Sequence, residues 1–169
     1  GAQLRAFVGG GGGAVINSDG RVYIFDGDTA SGGDPAFPWI RRTHMLHRRW
    51  YPTVTALPDG RVMVSGGRGD LIPGEPASCC PGVPTVEIYQ PVNDEWVPGP
   101  ALSSGLSSYP RMFVLPDGRV TKVSYNDVAI FDPITMTWDI VIYTPANLRD
   151  DQGTGSMYRA GKVLTVGGR

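Results

Sequence analysis

The chain has 169 residues, 24 of them Gly and 15 Pro, with 41% hydrophobic residues, so it can bury a core while breaking its path often, the profile of a turn-rich all-β protein. Acidic and basic residues nearly cancel to a net charge of −1, and no Lys/Arg-rich tract or basic helix occurs, which removes the attraction that nucleic acid or an anionic membrane surface requires. The longest apolar runs have strand length, far short of the roughly 20 residues of a membrane span.

In chain order, Gly1 in place of Met, with no visible signal peptide, reads as a processed or trimmed start. The first element is a hairpin about Asn17-Ser-Asp-Gly-Arg-Val22. The following stretch, 34–49, is harder to read, because Pro35, Pro38, Trp39 and the basic pairs Arg41-Arg42 and Arg48-Arg49 obscure any outer strands. The turn returns as Leu57-Pro-Asp-Gly-Arg-Val62 between the runs Thr53-Val-Thr-Ala-Leu57 and Arg61-Val-Met-Val-Ser65. An Asp-Gly turn between two such runs is the strongest short-range hairpin signal. Gly66-Gly67 closes that hairpin, and an inserted loop at 69–84 holds Pro73, Pro76, Pro81, Pro84 and the adjacent Cys79 and Cys80. Neighbouring cysteines lack zinc-site spacing and are consistent with a vicinal disulfide, bridges to other parts of the protein, or two free thiols. Beyond the loop come Tyr89 and Trp96, a third turn at Leu115-Pro-Asp-Gly-Arg-Val120, Phe131 and Trp138 at the same spacing, a worn turn at Arg159-Ala-Gly-Lys-Val163, and Gly167-Gly168.

The turn glycines Gly20, Gly60, Gly118 and Gly161 stand at intervals of 40, 58 and 43 residues, near the ~40 to 50 residue period of propeller blades, with the long interval carrying the inserted loop. The expected fold class is therefore all-β, a kelch-type β-propeller, with blades around 14–33, 52–100, 109–145 and 155–169 forming one partial domain over 1–169. A closed kelch ring takes six or seven blades, roughly 300 residues, so these three to four belong to a ring expected to hold seven. The remaining blades, on the same protein or a partner chain, would cover strand edges that otherwise lie open. The aromatics at 89, 96, 131 and 138 are expected to pack between blades rather than to form a cofactor box.

The run Arg49-Trp-Tyr-Pro-Thr-Val-Thr-Ala-Leu-Pro-Asp-Gly-Arg-Val-Met-Val-Ser-Gly-Gly67 resembles the blade of the galactose oxidase and glyoxal oxidase family that carries the radical tyrosine. In that family the tyrosine stands eight residues before the Asp of the turn, which selects Tyr51 here, ahead of Asp59. The stretch Gly155-Ser-Met-Tyr-Arg-Ala-Gly-Lys-Val-Leu-Thr-Val-Gly-Gly168 is similar to the blade preceding the family's second set of copper ligands. The resemblance implies a mononuclear copper held by two tyrosines and two histidines, with one tyrosine cross-linked to a cysteine and carrying a radical. It also implies oxidation of primary alcohols or hydrated aldehydes, reduction of O2 to hydrogen peroxide, and an extracellular or cell-surface location. Phenolate and imidazole donors suit copper, and the protein's part is to position that chemistry. On this resemblance Tyr51 is the candidate catalytic and copper-binding residue, and copper depends on the missing half of the propeller.

Three departures go with the match. The segment Ala6-Phe-Val-Gly-Gly-Gly-Gly-Gly-Ala14 has no cysteine where the family's cross-link partner belongs. Arg68-Gly69 follows Gly66-Gly67 where galactose oxidase has a tryptophan over the cross-linked ring. The other copper ligands would lie beyond Arg169. The competing expectation is a propeller that has lost the site and serves as an extracellular scaffold or carbohydrate-binding module.

Other polar residues read as structural. His44 and His47 match no family ligand and are expected at a blade edge, in a basic cluster with Arg41, Arg42, Arg48 and Arg49 that could meet carboxylates or an anionic sugar. The five glycines at 9–13 lack the Lys-Ser/Thr and helix of a phosphate loop. Arg68-Gly69-Asp70 reads as a chance adhesion triplet, and Asp26, Asp28, Asp150 and Asp151 lack the paired spacing of a hydrolase.

Overall fold

The computed structural model describes residues 5–9, 20–26, 39–69, 82–124, 127–143 and 153–167, and among these the chain is all-β with no helix. The cysteines, the core of the inserted loop, most of the glycine run, and Asp28, Asp150 and Asp151 lie outside the described residues.

The repeated turn forms because all of its bonds lie within five residues. In the second sheet, Gly60 N donates to Leu57 O at 3.0 Å and Leu57 N donates to Arg61 O at 2.8 Å. Pro58 fixes the second turn position, and Gly60 takes the left-handed φ of 87° that closes the loop. Asp59 accepts from the Arg61 backbone at 3.0 Å and from its guanidinium at 2.7 Å, which gives the Arg of this Asp-Gly-Arg a local task. Leu115, Asp117, Gly118 and Arg119 repeat the pattern bond for bond.

These turns join antiparallel strands into four sheets. β1 (Arg5–Gly9), β2 (Val22–Asp26) and β3 (Trp39–Arg42) form a three-stranded sheet in that order. β4 (Thr53–Ala56), β5 (Val62–Ser65), β6 (Thr85–Gln90) and β7 (Glu95–Ala101) form a four-stranded meander, repeated by β8 (Arg111–Val114), β9 (Val120–Val123), β10 (Asp127–Asp132) and β11 (Thr137–Tyr143). β12 (Thr154–Arg159) and β13 (Lys162–Val166) form a hairpin. Part of the obscure 34–49 stretch is thus strand β3, where Trp39 meets Phe25 edge to face with ring centroids 5.1 Å apart.

The core lies between sheets rather than inside one. Leu57, Met63, Val86, Ile88, Leu102 and Leu106 pack against Met112, Val120, Ala129 and Phe131 of the next sheet. Val22 and Met45 pack against Val64, Tyr89 and Trp96. Each first strand touches the first strand of its neighbour, β1 on β4, β4 on β8 and β8 on β12, and the segments entering β4 and β8 lie side by side, with Tyr109 N donating to Tyr51 O. The paired aromatics sit at these seams. Trp96 packs on Tyr89 and donates Nε1 to Thr43 O at 2.9 Å, and Trp138 packs on Phe131 and donates to Pro100 O at 3.3 Å. Each indole thereby ties its sheet to the chain segment before it.

Candidate functional site

Three backbone segments meet at Tyr51, and glycine lets them do so. Gly66 and Gly67, at the end of β5, hold φ of 64° and 84°, a region that a β-carbon disfavours. A β-carbon on Gly67 would stand 2.9 Å from Trp50 O and 3.1 Å from Pro52 N, and one on Gly66 would strike Ser107 O. Trp50 and Arg68 exchange both backbone hydrogen bonds, at 2.8 and 2.7 Å, Gly67 N donates to Ser107 O at 3.1 Å, and Tyr109 N donates to Tyr51 O at 2.9 Å. The glycine pair that marks a hairpin end in the sequence is therefore the floor under Tyr51.

Tyr51 and Tyr109 both adopt left-handed backbone, φ 62° and 49°, which costs on the order of 1 kcal/mol or more each and persists only where surrounding bonds over-determine it. The result is a ring stack. Trp50 lies 3.8 Å from Tyr51, centroid to centroid, at 22° between planes, and Tyr109 lies 4.6 Å away at 24°. Two rings that are both nearly parallel to Tyr51 at stacking distance cannot share one face of it, so Trp50 and Tyr109 cover opposite faces. Tyr51 remains 39% exposed and Tyr109 57%. The Tyr109 phenol is held above its ordinary range, first by partial desolvation and then by the Tyr51 phenol beside it.

Below the stack is a buried ion pair. Arg49, expected in the surface basic cluster, is fully buried. It donates Nε and Nη2 to Glu87 Oε1 at 2.9 and 2.6 Å, and it also donates to Gly66 O at 2.7 Å and Thr85 O at 3.0 Å. Burial lowers the guanidinium's pKa, while the Glu87 charge and hydrogen bonds oppose that shift. Glu87 also accepts from Leu46 N at 2.6 Å and His47 N at 3.2 Å. One carboxylate thus anchors the segment that delivers Tyr51. A second buried pair, Lys122 Nζ to Asp127 Oδ1 at 2.5 Å, secures the equivalent loop of the next sheet. Burial pushes the Asp127 pKa up, but bonds from Lys122, Ser104 and Ser124 outweigh it and hold the pKa below its usual value.

The histidines do not join Tyr51 as ligands. His47 Nδ1 faces Glu87 at 3.2 Å and His44 Nε2 meets Arg41 at 2.8 Å, both at the exposed edge. Among the described residues no three His, Cys, Asp or Glu side chains are grouped to hold a metal. Tyr51 and the Tyr109 phenol stacked on it are the donors of the expected type at this site, with both histidines turned to other partners, so the described residues do not by themselves fit a copper centre. The backbone of Arg68 bridges Trp50 and Gly82. Neither Arg49 nor Tyr109 was visible as a site residue in the sequence, since their partners lie 38 and 58 residues away.

Comparison with known proteins places this fold. No family model matches the chain. An F-box/kelch-repeat protein of Arabidopsis thaliana is 35% identical over 88 residues, 48% of this chain and 21% of that protein. A WSC domain-containing protein of Arthroderma benhamiae is 28% identical over 159 residues, 85% of this chain and 15% of that protein. A fungal alcohol oxidase of the AA5 family, solved in complex with copper, superposes with a TM-score of 0.55 at 16% identity, covering 70% of this chain and 24% of the oxidase. The chain thus spans about a quarter or less of each of these proteins. Together they support a galactose-oxidase-like, kelch-type fold.

Proposed function

We propose that this chain is part of a longer, extracellular propeller of the galactose oxidase and glyoxal oxidase kind, in which each sheet is one blade and Tyr51 is the redox-active tyrosine and copper ligand. The whole protein would oxidise primary alcohols or aldehydes with O2, giving the aldehyde or acid and H2O2. The observation that carries this reading is the treatment of Tyr51. It is held in left-handed backbone, stacked between two rings and partly exposed where the segments entering β4 and β8 meet. The other copper donors would come from the remaining blades.

The test uses the full-length protein loaded with copper and offered galactose, glyoxal and methylglyoxal. Peroxide release together with a radical's visible absorption is the expected result, and copper bound without either overturns the proposal. A second reading, a scaffold or carbohydrate-binding propeller, is favoured by the two histidines being engaged by Arg41 and Glu87 and by the absence of a cysteine from the segment before β2. Sugar binding by a protein that takes up no copper would establish it.

A further inference from the structure

We propose that Tyr109 is the residue that stabilises an oxidised Tyr51, forming with Trp50 a closed stack that does by π overlap what a cross-link would otherwise do. The inference rests on the reading of Tyr51 as redox-active. It starts from three observations: both faces of the Tyr51 ring are covered, at 3.8 and 4.6 Å; one covering ring, Trp50, is the neighbour in sequence while the other, Tyr109, arrives from 58 residues further along the chain; and the Tyr109 position is fixed by its own backbone bond to Tyr51 O at 2.9 Å.

Oxidation of Tyr51 by a one-electron oxidant moves one electron to the oxidant and one proton from the phenol hydroxyl to water, which reaches this partly exposed side chain. No other bond forms or breaks. The radical is neutral but electrophilic, so electron-rich indole and phenol faces stacked on it donate π density towards its half-filled orbital. The same faces exclude a second phenol or a reductant approaching from above or below the ring. Sequence places no cysteine in the segment preceding β2 and puts Arg68, not an aromatic residue, after the Gly66-Gly67 pair, so the cover of the Tyr51 ring comes from Trp50 and Tyr109. Tyr109 needs only its ring for this role, whereas Tyr51 needs its hydroxyl.

The experiment treats the full-length protein without copper with hexachloroiridate(IV) as the one-electron oxidant and follows the tyrosyl radical by electron paramagnetic resonance. The parent is compared with Tyr51→Phe, Tyr109→Leu and Tyr109→Phe. The expected result is a long-lived signal that is lost in Tyr51→Phe, shortened about twofold to tenfold in Tyr109→Leu, the factor an aromatic pair's energy corresponds to, and nearly unchanged in Tyr109→Phe. If Tyr51→Phe removes the signal but Tyr109→Leu leaves its lifetime unchanged, the stack has no such role while Tyr51 stays the radical site. A signal that survives Tyr51→Phe overturns both readings. Loss of the signal in Tyr109→Phe makes Tyr109 the oxidised phenol and overturns the assignment of roles. Should Tyr109→Leu fail to fold, Trp50→Leu removes the opposite ring and is read against the same outcomes.

Discussion

Replacing Glu87 with glutamine isolates the anchor beneath Tyr51. The carboxylate accepts from Arg49 at 2.9 and 2.6 Å, from Leu46 N at 2.6 Å and from His47 N at 3.2 Å, with both charged side chains fully buried. An amide keeps the shape but has one acceptor oxygen. If that oxygen faces Arg49, the NH2 group meets the Leu46 N–H; if it faces Leu46, the NH2 group meets the guanidinium. In either orientation Arg49 is left as a buried cation without a counter-charge, and removing one partner of such a pair costs about 3–5 kcal/mol. The folding equilibrium of the affected unit should shift by roughly two to four orders of magnitude. Guanidinium unfolding of the full-length protein, followed by tryptophan fluorescence, measures this. Combining Glu87→Leu with Arg49→Met should cost less than either single change, because no unpaired charge remains. A Glu87→Gln cost below about 1 kcal/mol, the range of an exposed pair, would refute the claim that this carboxylate holds the segment.

Gly67→Ala forces a β-carbon to 2.9 Å from Trp50 O in left-handed backbone and should lower the denaturation midpoint by an amount equivalent to about 2 kcal/mol or more, whereas Gly60→Ala, whose β-carbon meets nothing within 4 Å, should cost about 1 kcal/mol. The Asp127 pKa is depressed in the folded state, so its contribution is present above the unfolded value of about 3.9 and lost as pH falls through the folded one. Acid titration of stability should show that loss below about pH 4 and a shallower slope in Asp127→Asn; equal slopes would contradict it. Tyr89 is raised to about 12, first by desolvation and then by its bond to Asp94, so ultraviolet titration should find one phenol ionising near there, missing in Tyr89→Phe. That variant should cost only about 1 kcal/mol, since the next sheet has Phe131 at the same register.

The fold class was legible because its signal is local. Leu-Pro-Asp-Gly-Arg contains every donor and acceptor its turn uses, so three near copies in the sequence sufficed to announce hairpins. Strand β3 was hidden because Trp39 and Arg41 point outward, which gives it no apolar alternation to read. Tyr51 could be selected by its spacing from Asp59, but not its backbone strain or its stack, because those depend on Gly67 and Tyr109 arriving from elsewhere in the chain. Arg49 looked like one more charge in a basic run. Its burial depends on Glu87, which the sequence presents as a lone acid inside an apolar strand, Thr85–Gln90, and a buried-strand carboxylate was the one cue that could have exposed the pair.

The central claim is that Tyr51 marks the reacting face of a copper oxidase. Diffraction from copper-loaded crystals of the full-length protein, collected at the copper absorption edge, tests it most directly. The account predicts one strong anomalous peak beside the Tyr51 hydroxyl, absent in Tyr51→Phe. A fully occupied peak elsewhere, or no peak in a protein whose Trp50, Tyr51 and Tyr109 stack is intact, would contradict it.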